Sequence, residues 1–250
     1  MPTSLADMQI ASRHLWIIIV HGLAADTEPV LNVSALPNFR TIERMGMRVE
    51  RCLPDTGSSA AQALATLLFG APSGEPEGKD GLAAVAARAG RVVFQLLPWQ
   101  PDRWIAERTR GSSWSIVENR LDQRAADWRD VLAGEPELLA DPDGDAELAA
   151  FFRDRIVARF PGRATMMREV SDGQLSDGLA SWMEWAGDAF LRSIWYLSSR
   201  ASGGLLGLLT YPAPALLAER DGVAGYRQGL QALDDLLGRL LLLREHEDLA

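Results

Sequence analysis

Six consecutive apolar residues, Leu15-Trp16-Ile17-Ile18-Ile19-Val20, run straight into His21-Gly22. No polar position interrupts them, so a strand built from them has no face suited to water. Such a run fits a strand buried on both faces, as in a parallel sheet covered by helices on each side. His21 then stands at the tip of that strand, a position from which a side chain can reach a site.

The segments that follow alternate in period. Residues 37–45 read as a helix with Phe39, Ile42 and Met45 on one side, broken by Gly46. Residues 47–53 alternate weakly and predict a short strand. Residues 60–69 predict a helix stopped by Gly70-Ala71-Pro72, and 73–81 a polar loop. A helix over 82–89 ends at Gly90, and 91–97 predict a strand centred on Val92, Val93 and Phe94. Near the other end, 205–211 return to strand character. Residues 223–243 form an amphipathic helical pattern through Tyr226, Leu230, Leu233, Leu237, Leu240 and Leu241. Strands alternating with helices predict an α/β fold with a mostly parallel sheet flanked by helices.

Between 98 and 202 the pattern changes. Trp99, Trp104, Trp114, Trp128, Trp182, Trp185 and Trp195 all fall here. Helical spacing dominates, with Leu148, Phe151, Phe152, Ile156 and Phe160 on one face and Trp182, Trp185, Ala189 and Leu191 on another; 164–170 is the one short strand expected. The division is an α/β core from 1–97 and 203–250, with 98–202 as a largely helical, Trp-rich cap insertion. Large aromatics dominate burial in small cores, so the tryptophans read as cap core before they read as a ligand cage.

Composition narrows the function classes. A 250-residue chain that is 47% hydrophobic suits one sizeable domain or a core with an insertion. Its formal net charge of -9 argues against a nucleic-acid backbone or an anionic membrane as main partner. Cys52 is the only cysteine, so neither an internal disulfide nor a thiolate zinc cluster is available. Residues 1–14 carry Asp7 and lack the apolar core of a signal peptide, and 205–218 are too short to span a bilayer and contain Pro212 and Pro214. The expectation is a soluble cytoplasmic protein.

Candidate chemistry is sparse. Pro54-Asp55-Thr56-Gly57-Ser58-Ser59 places the hydroxyls of Thr56, Ser58 and Ser59 just before a helix, whose free N–H groups favour an anion. The same residues have a structural explanation: Ser59-Ala60-Ala61-Gln62 has the form of a capping box. His21 and Asp26 are candidate metal ligands, with a hydrogen-bonded turn histidine as the plainer alternative. His14 reads as exposed and His246 as part of a solvated helix end. No P-loop occurs, Gly203-Gly204-Leu205-Leu206-Gly207 lacks the dinucleotide fingerprint, and no Gly-x-Ser-x-Gly elbow is present.

Three segments, in order, resemble the phosphodiesterase and sulfatase-like branches of the alkaline phosphatase superfamily. Ile18-Ile19-Val20-His21-Gly22-Leu23 is similar to the family's first strand ending in Asp-Gly-Leu. Leu36-Pro37-Asn38-Phe39-Arg40, continuing to Leu67-Leu68-Phe69-Gly70, is similar to its Leu-Pro-Asn-Leu helix, next strand, nucleophile loop and Leu-Leu-Thr-Gly helix end. Leu208-Leu209-Thr210-Tyr211-Pro212-Ala213-Pro214-Ala215, then Glu219-Arg220-Asp221-Gly222, Tyr226 and Leu233-Asp234-Asp235-Leu236-Leu237-Gly238-Arg239-Leu240, is similar to its strand, its Pro-Asp-x-x-Gly-His metal loop and its Leu-Asp-x-x-Leu-Gly-x-Leu helix. The resemblance covers roughly the sheet-forming half of the chain.

It implies a metal-dependent phosphoric ester or sulfate ester hydrolase, and the departures bear on that chemistry. The family's first metal aspartate falls on His21, its metal-loop aspartate on Ala215 and the loop histidine on Glu219. The nucleophile falls on Ala60, so Thr56, Ser58 or Ser59 serves only with a shifted loop. The family's later Asp-His strand and further histidine have no counterpart before Ala250. The resulting expectation is an inactive, C-terminally short homologue that binds no cofactor and acts as a binding or scaffold protein. Its partner would be another protein or a second copy, through the sheet edge or the cap. The competing expectation is a hydrolase with a rebuilt site, in which His21, Asp26 and Glu219 hold zinc or manganese. A third is a chain completed by a separate distal half.

Overall fold

The computed structural model describes residues 14–23, 36–46, 60–69, 81–98, 103–119, 135–139, 145–160 and 175–247. The strands expected at 47–53 and 164–170, Trp99 and Trp128, Asp26, and the hydroxyls of Thr56, Ser58 and Ser59 lie outside them.

The fold is α/β. Among the described residues five strands form one sheet: β1 (His14–Val20), β2 (Val92–Leu97), β3 (Trp114–Asn119), β4 (Glu135–Leu139) and β5 (Leu205–Tyr211), in the order β1-β5-β2-β3-β4. The first four in that order are parallel, and β4 is antiparallel to β3. The last strand in sequence therefore fills the slot between the first two. Every residue of β5 is buried, which is why its sequence, Leu-Leu-Gly-Leu-Leu-Thr-Tyr, is nearly uniform in apolarity.

Helices α1 (Pro37–Met45), α2 (Ala60–Phe69) and α3 (Leu82–Arg88) connect β1 to β2, and α4 (Arg103–Arg108) connects β2 to β3. After β4 come α5 (Ala146–Phe151), a π-helical segment (Phe152–Ile156) and a 3-10 turn (Val157–Arg159), then α6 (Leu175–Ser198). The last described element is α7 (Ala213–Glu247).

Strand alternation sorts side chains between two helical layers. Phe94 and Leu96 of β2, with Leu205, Leu209 and Tyr211 of β5, join α6, α7 and the π-helical segment in the larger core. Stacked rings lie at its centre: Phe94 and Phe152 are 5.1 Å apart and nearly parallel, and Trp114 tilts against Phe152 at 5.5 Å. On the opposite face, Leu97, Val117 and Leu208 meet α2 and α4, while Val93 and Leu206 meet α3. Trp16, Ile18 and Val20 of β1 turn to the first layer, and Ile17 and Ile19 contribute to the second.

Two sequence expectations need correction. Segment 98–202 is largely helical among the described residues but not a cap apart from the sheet, because its β3 and β4 extend the sheet beyond β2. Trp114 accordingly sits on a sheet strand, and Trp195 is 56% exposed, whereas Trp182 and Trp185 are buried in the core. The other correction concerns 213–221, aligned with a metal loop but helical from Ala213 onward. Pro214 does not prevent this, since the first turn of a helix needs no N–H donor there. The helix breaks at Gly222 (φ 60°) and doubles back. A Cβ on Gly225 would fall 2.0 Å from the Leu217 carbonyl, and one on Gly229 2.7 Å from Pro214 Cα, so glycines make room for the two arms to pack. Among the described residues no helix is long and apolar enough to cross a membrane.

Candidate functional site

The carboxyl ends of β1 and β5 carry the positions of interest, at the edge where open α/β sheets bind ligands. The β1 strand leaves the sheet through His21, whose backbone N–H donates to the Tyr211 carbonyl at 3.1 Å, extending the β1–β5 ladder by one bond. His21 is buried.

Gly22 follows with φ 77°, in the left-handed region that glycine adopts without strain. It also lies against the first turn of α7. A Cβ on Gly22 would sit 2.8 Å from Ala215 Cβ and 2.9 Å from Ala215 Cα. The structure thus brings two of the aligned metal positions to one corner, with Gly22 between His21 and Ala215. Around Ala215, the side chains of Ala213, Leu216 and Leu217 are buried in the larger core. Glu219 lies one helical turn beyond Ala215, about 6 Å along the axis, and is exposed. Among the described residues no group of three or more His, Cys, Asp or Glu side chains is placed to hold a metal ion.

Tyr211 ends β5 and is 2% exposed. Burial pushes its phenol pKa well above the ordinary value, and the nearby negative charge of Asp235 adds to the rise. Beside it, Thr210 is fully buried and its hydroxyl has no hydrogen-bond partner among the described residues.

A second junction joins the second arm of α7 to α1. Leu36, at the N-cap of α1, makes no side-chain cap bond, and Pro37 follows it. The free N–H groups of the first turn are satisfied from 196 residues away. The Asp234 carboxylate accepts from the backbone N–H of Phe39 at 2.7 Å, from that of Asn38 at 3.3 Å and from Asn38 Nδ2 at 3.0 Å. Asn38 Nδ2 also donates to the Asp234 carbonyl at 3.1 Å. A carboxylate at a helix N-terminus satisfies orphan donors and meets the positive end of the helix dipole. Gly238, one turn on, makes room: a Cβ there would fall 2.6 Å from Asn38 Nδ2. Asn38, Asp234 and Gly238 fall within the resembling segments without a role of their own there. Buried Asp between leucines of an amphipathic helix was the available signal, because a buried carboxylate requires partners.

No protein-family model matches this chain, and no match was found among curated proteins or among solved structures.

Proposed function

We propose that this chain is a catalytically inactive relative of the alkaline phosphatase superfamily, acting as a binding or scaffold protein. The observation that carries the proposal is the Gly22–Ala215 corner. Where the family pattern puts a metal-binding aspartate, an alanine packs within contact distance of the turn after β1, with Leu216 and Leu217 buried beside it. Alanine has no ligand atom. A transferred phosphoryl or sulfuryl group would there lack the metal that neutralises its developing charge.

The family assignment draws further support from the Asn38–Asp234 junction, because it joins two of the three resembling segments by direct hydrogen bonds. On this proposal, 1–97 and 203–250 make an alkaline-phosphatase-like core. The 98–202 segment is an insertion that supplies β3, β4 and α6. The protein works in the cytoplasm, with a protein partner or a second copy bound through the sheet edge or the insertion.

The test is metal content and turnover of the purified protein, offered zinc and manganese. The expected result is no stoichiometric metal and no hydrolysis of bis(p-nitrophenyl) phosphate. Stoichiometric metal with turnover, both lost in His21→Ala and Glu219→Ala, would overturn the proposal and establish the rebuilt hydrolase instead.

A further inference from the structure

A groove of about 340 Å³ runs between the π-helical segment and α6, lined by residues that the strand-end site does not use. Its apolar lining is Ile156, Trp185 and Ala189. Trp185 is held in place: its ring meets Phe160 edge-on at 5.0 Å, and its indole N–H donates to the Ile156 carbonyl at 3.5 Å. Ala189, one turn further along α6, is too small to fill the space above it.

Charge on the walls is unbalanced. Arg155 and Arg159 come from the π-helical segment and the 3-10 turn, and Arg192 from α6. None of these three guanidiniums pairs with a carboxylate among the described residues. Of the two acids present, Asp188 is already engaged by Arg239 of α7. That leaves three guanidiniums against Glu184, a local excess of two positive charges on a chain whose formal net charge is -9. Guanidiniums present forked donors matched to phosphate and carboxylate oxygens. A π-helical turn, rare elsewhere, sets the backbone that carries Arg155.

We propose that this groove binds a small organic phosphate monoester. Its charge of about -1.5 to -2 at neutral pH matches the local excess. Arg155, Arg159 and Arg192 hold the phosphate, and the apolar part of the ligand lies against Trp185 and Ala189. The site is independent of the strand ends and requires no metal.

Calorimetric titration of the full chain with phenyl phosphate in EDTA tests this. The chelator removes any metal-held phosphate at the strand ends, so the result is separate from the fate of the proposed function. Saturable binding is expected at sub-millimolar concentration, on the order of 0.1–1 mM. Benzenesulfonate, a monoanion of similar shape, should bind about tenfold more weakly, and Arg159→Gln and Arg192→Gln should each weaken phenyl phosphate about tenfold, the loss of one charge-assisted hydrogen bond. Both arginines are exposed, so the variants should keep the parent unfolding midpoint. Absence of saturation up to about 10 mM, or unchanged affinity in both folded variants, would overturn the assignment.

Discussion

The two arms of α7 meet the N-terminal third of the chain by opposite means. The first arm touches the turn after β1 through Gly22 and Ala215, a contact of small groups with no hydrogen bond between their side chains. The second arm touches α1 through a buried carboxylate serving three donors from two adjacent residues. The aligned chemistry belongs to the first contact, where the polar group is missing. The aligned architecture belongs to the second, where the polar groups are present and bonded to one another. A buried polar cluster that is completely satisfied rigidifies a junction, and one that loses a member becomes costly. Packing of small groups carries no such penalty, so the first contact tolerates change of chemistry as long as space is conserved.

That contrast can be broken by mutation. Asp234→Ala should have the largest effect, about 3 kcal/mol, because it strands the half-buried backbone N–H groups of Asn38 and Phe39 and leaves the Asn38 amide only its bond to the residue 234 carbonyl. Urea denaturation reads it as a lowered midpoint at constant slope. A loss below about 1 kcal/mol would mean that water replaces the carboxylate and that the junction is not the stronger of the two.

Gly22→Ala should cost less, about 2 kcal/mol, from a left-handed backbone and from overlap with Ala215. Ala215→Gly in the same chain should relieve only the contact with the Ala215 Cβ, leaving the backbone strain and the 2.9 Å approach to its Cα, a coupling of about 0.5 kcal/mol measured by a double-mutant cycle. Zero coupling would show that the two residues do not share the space.

The smallest expected effect is on pH dependence. In the unfolded chain the Tyr211 phenol ionises near its ordinary pKa of about 10. In the folded chain burial and Asp235 keep it neutral to higher pH. The folded state then binds more protons than the unfolded state as pH rises through that range. The stability Tyr211 contributes is complete below about pH 10 and is lost above it, by a few tenths of a kcal/mol at first. Tyr211→Phe should therefore lose less stability than the parent between about pH 9 and 10.5 in matched denaturant titrations. Parallel losses in the two proteins would count against a buried, neutral phenol.

Much of the frame was legible from periodicity. The strands at Leu15, Val92 and Leu205 and the helices at Pro37 and Ala60 all form where apolar runs or a helical face predict them. The burial on both faces expected of 15–20 belongs to β5 instead: β1 lies at the edge of the described sheet, half-buried, with Leu15 exposed. β3 was not legible. Ser113 and Ser115 break its apolar pattern, and they are tolerated because they bond each other at 3.0 Å, with Ser113 also donating to Thr109. β4 contains Pro136 and lies at the sheet edge, where proline costs little but a strand signal is weak. Pro212 and Pro214 similarly hid the start of α7, since a proline that starts a helix looks locally like one that breaks it.

The sequence by itself determined the α/β class, because apolar strand runs alternate with helical patterns along the chain. It also determined the end of β1 at His21-Gly22 and the absence of a ligand atom at position 215. Only the tertiary structure decided that Gly22 meets Ala215, that Asp234 caps a helix 196 residues away, and that three arginines share one groove. Local periodicity specifies which face of an element is apolar. Sheet order and the doubling back of α7 specify which faces meet, and those depend on contacts between residues far apart in the chain.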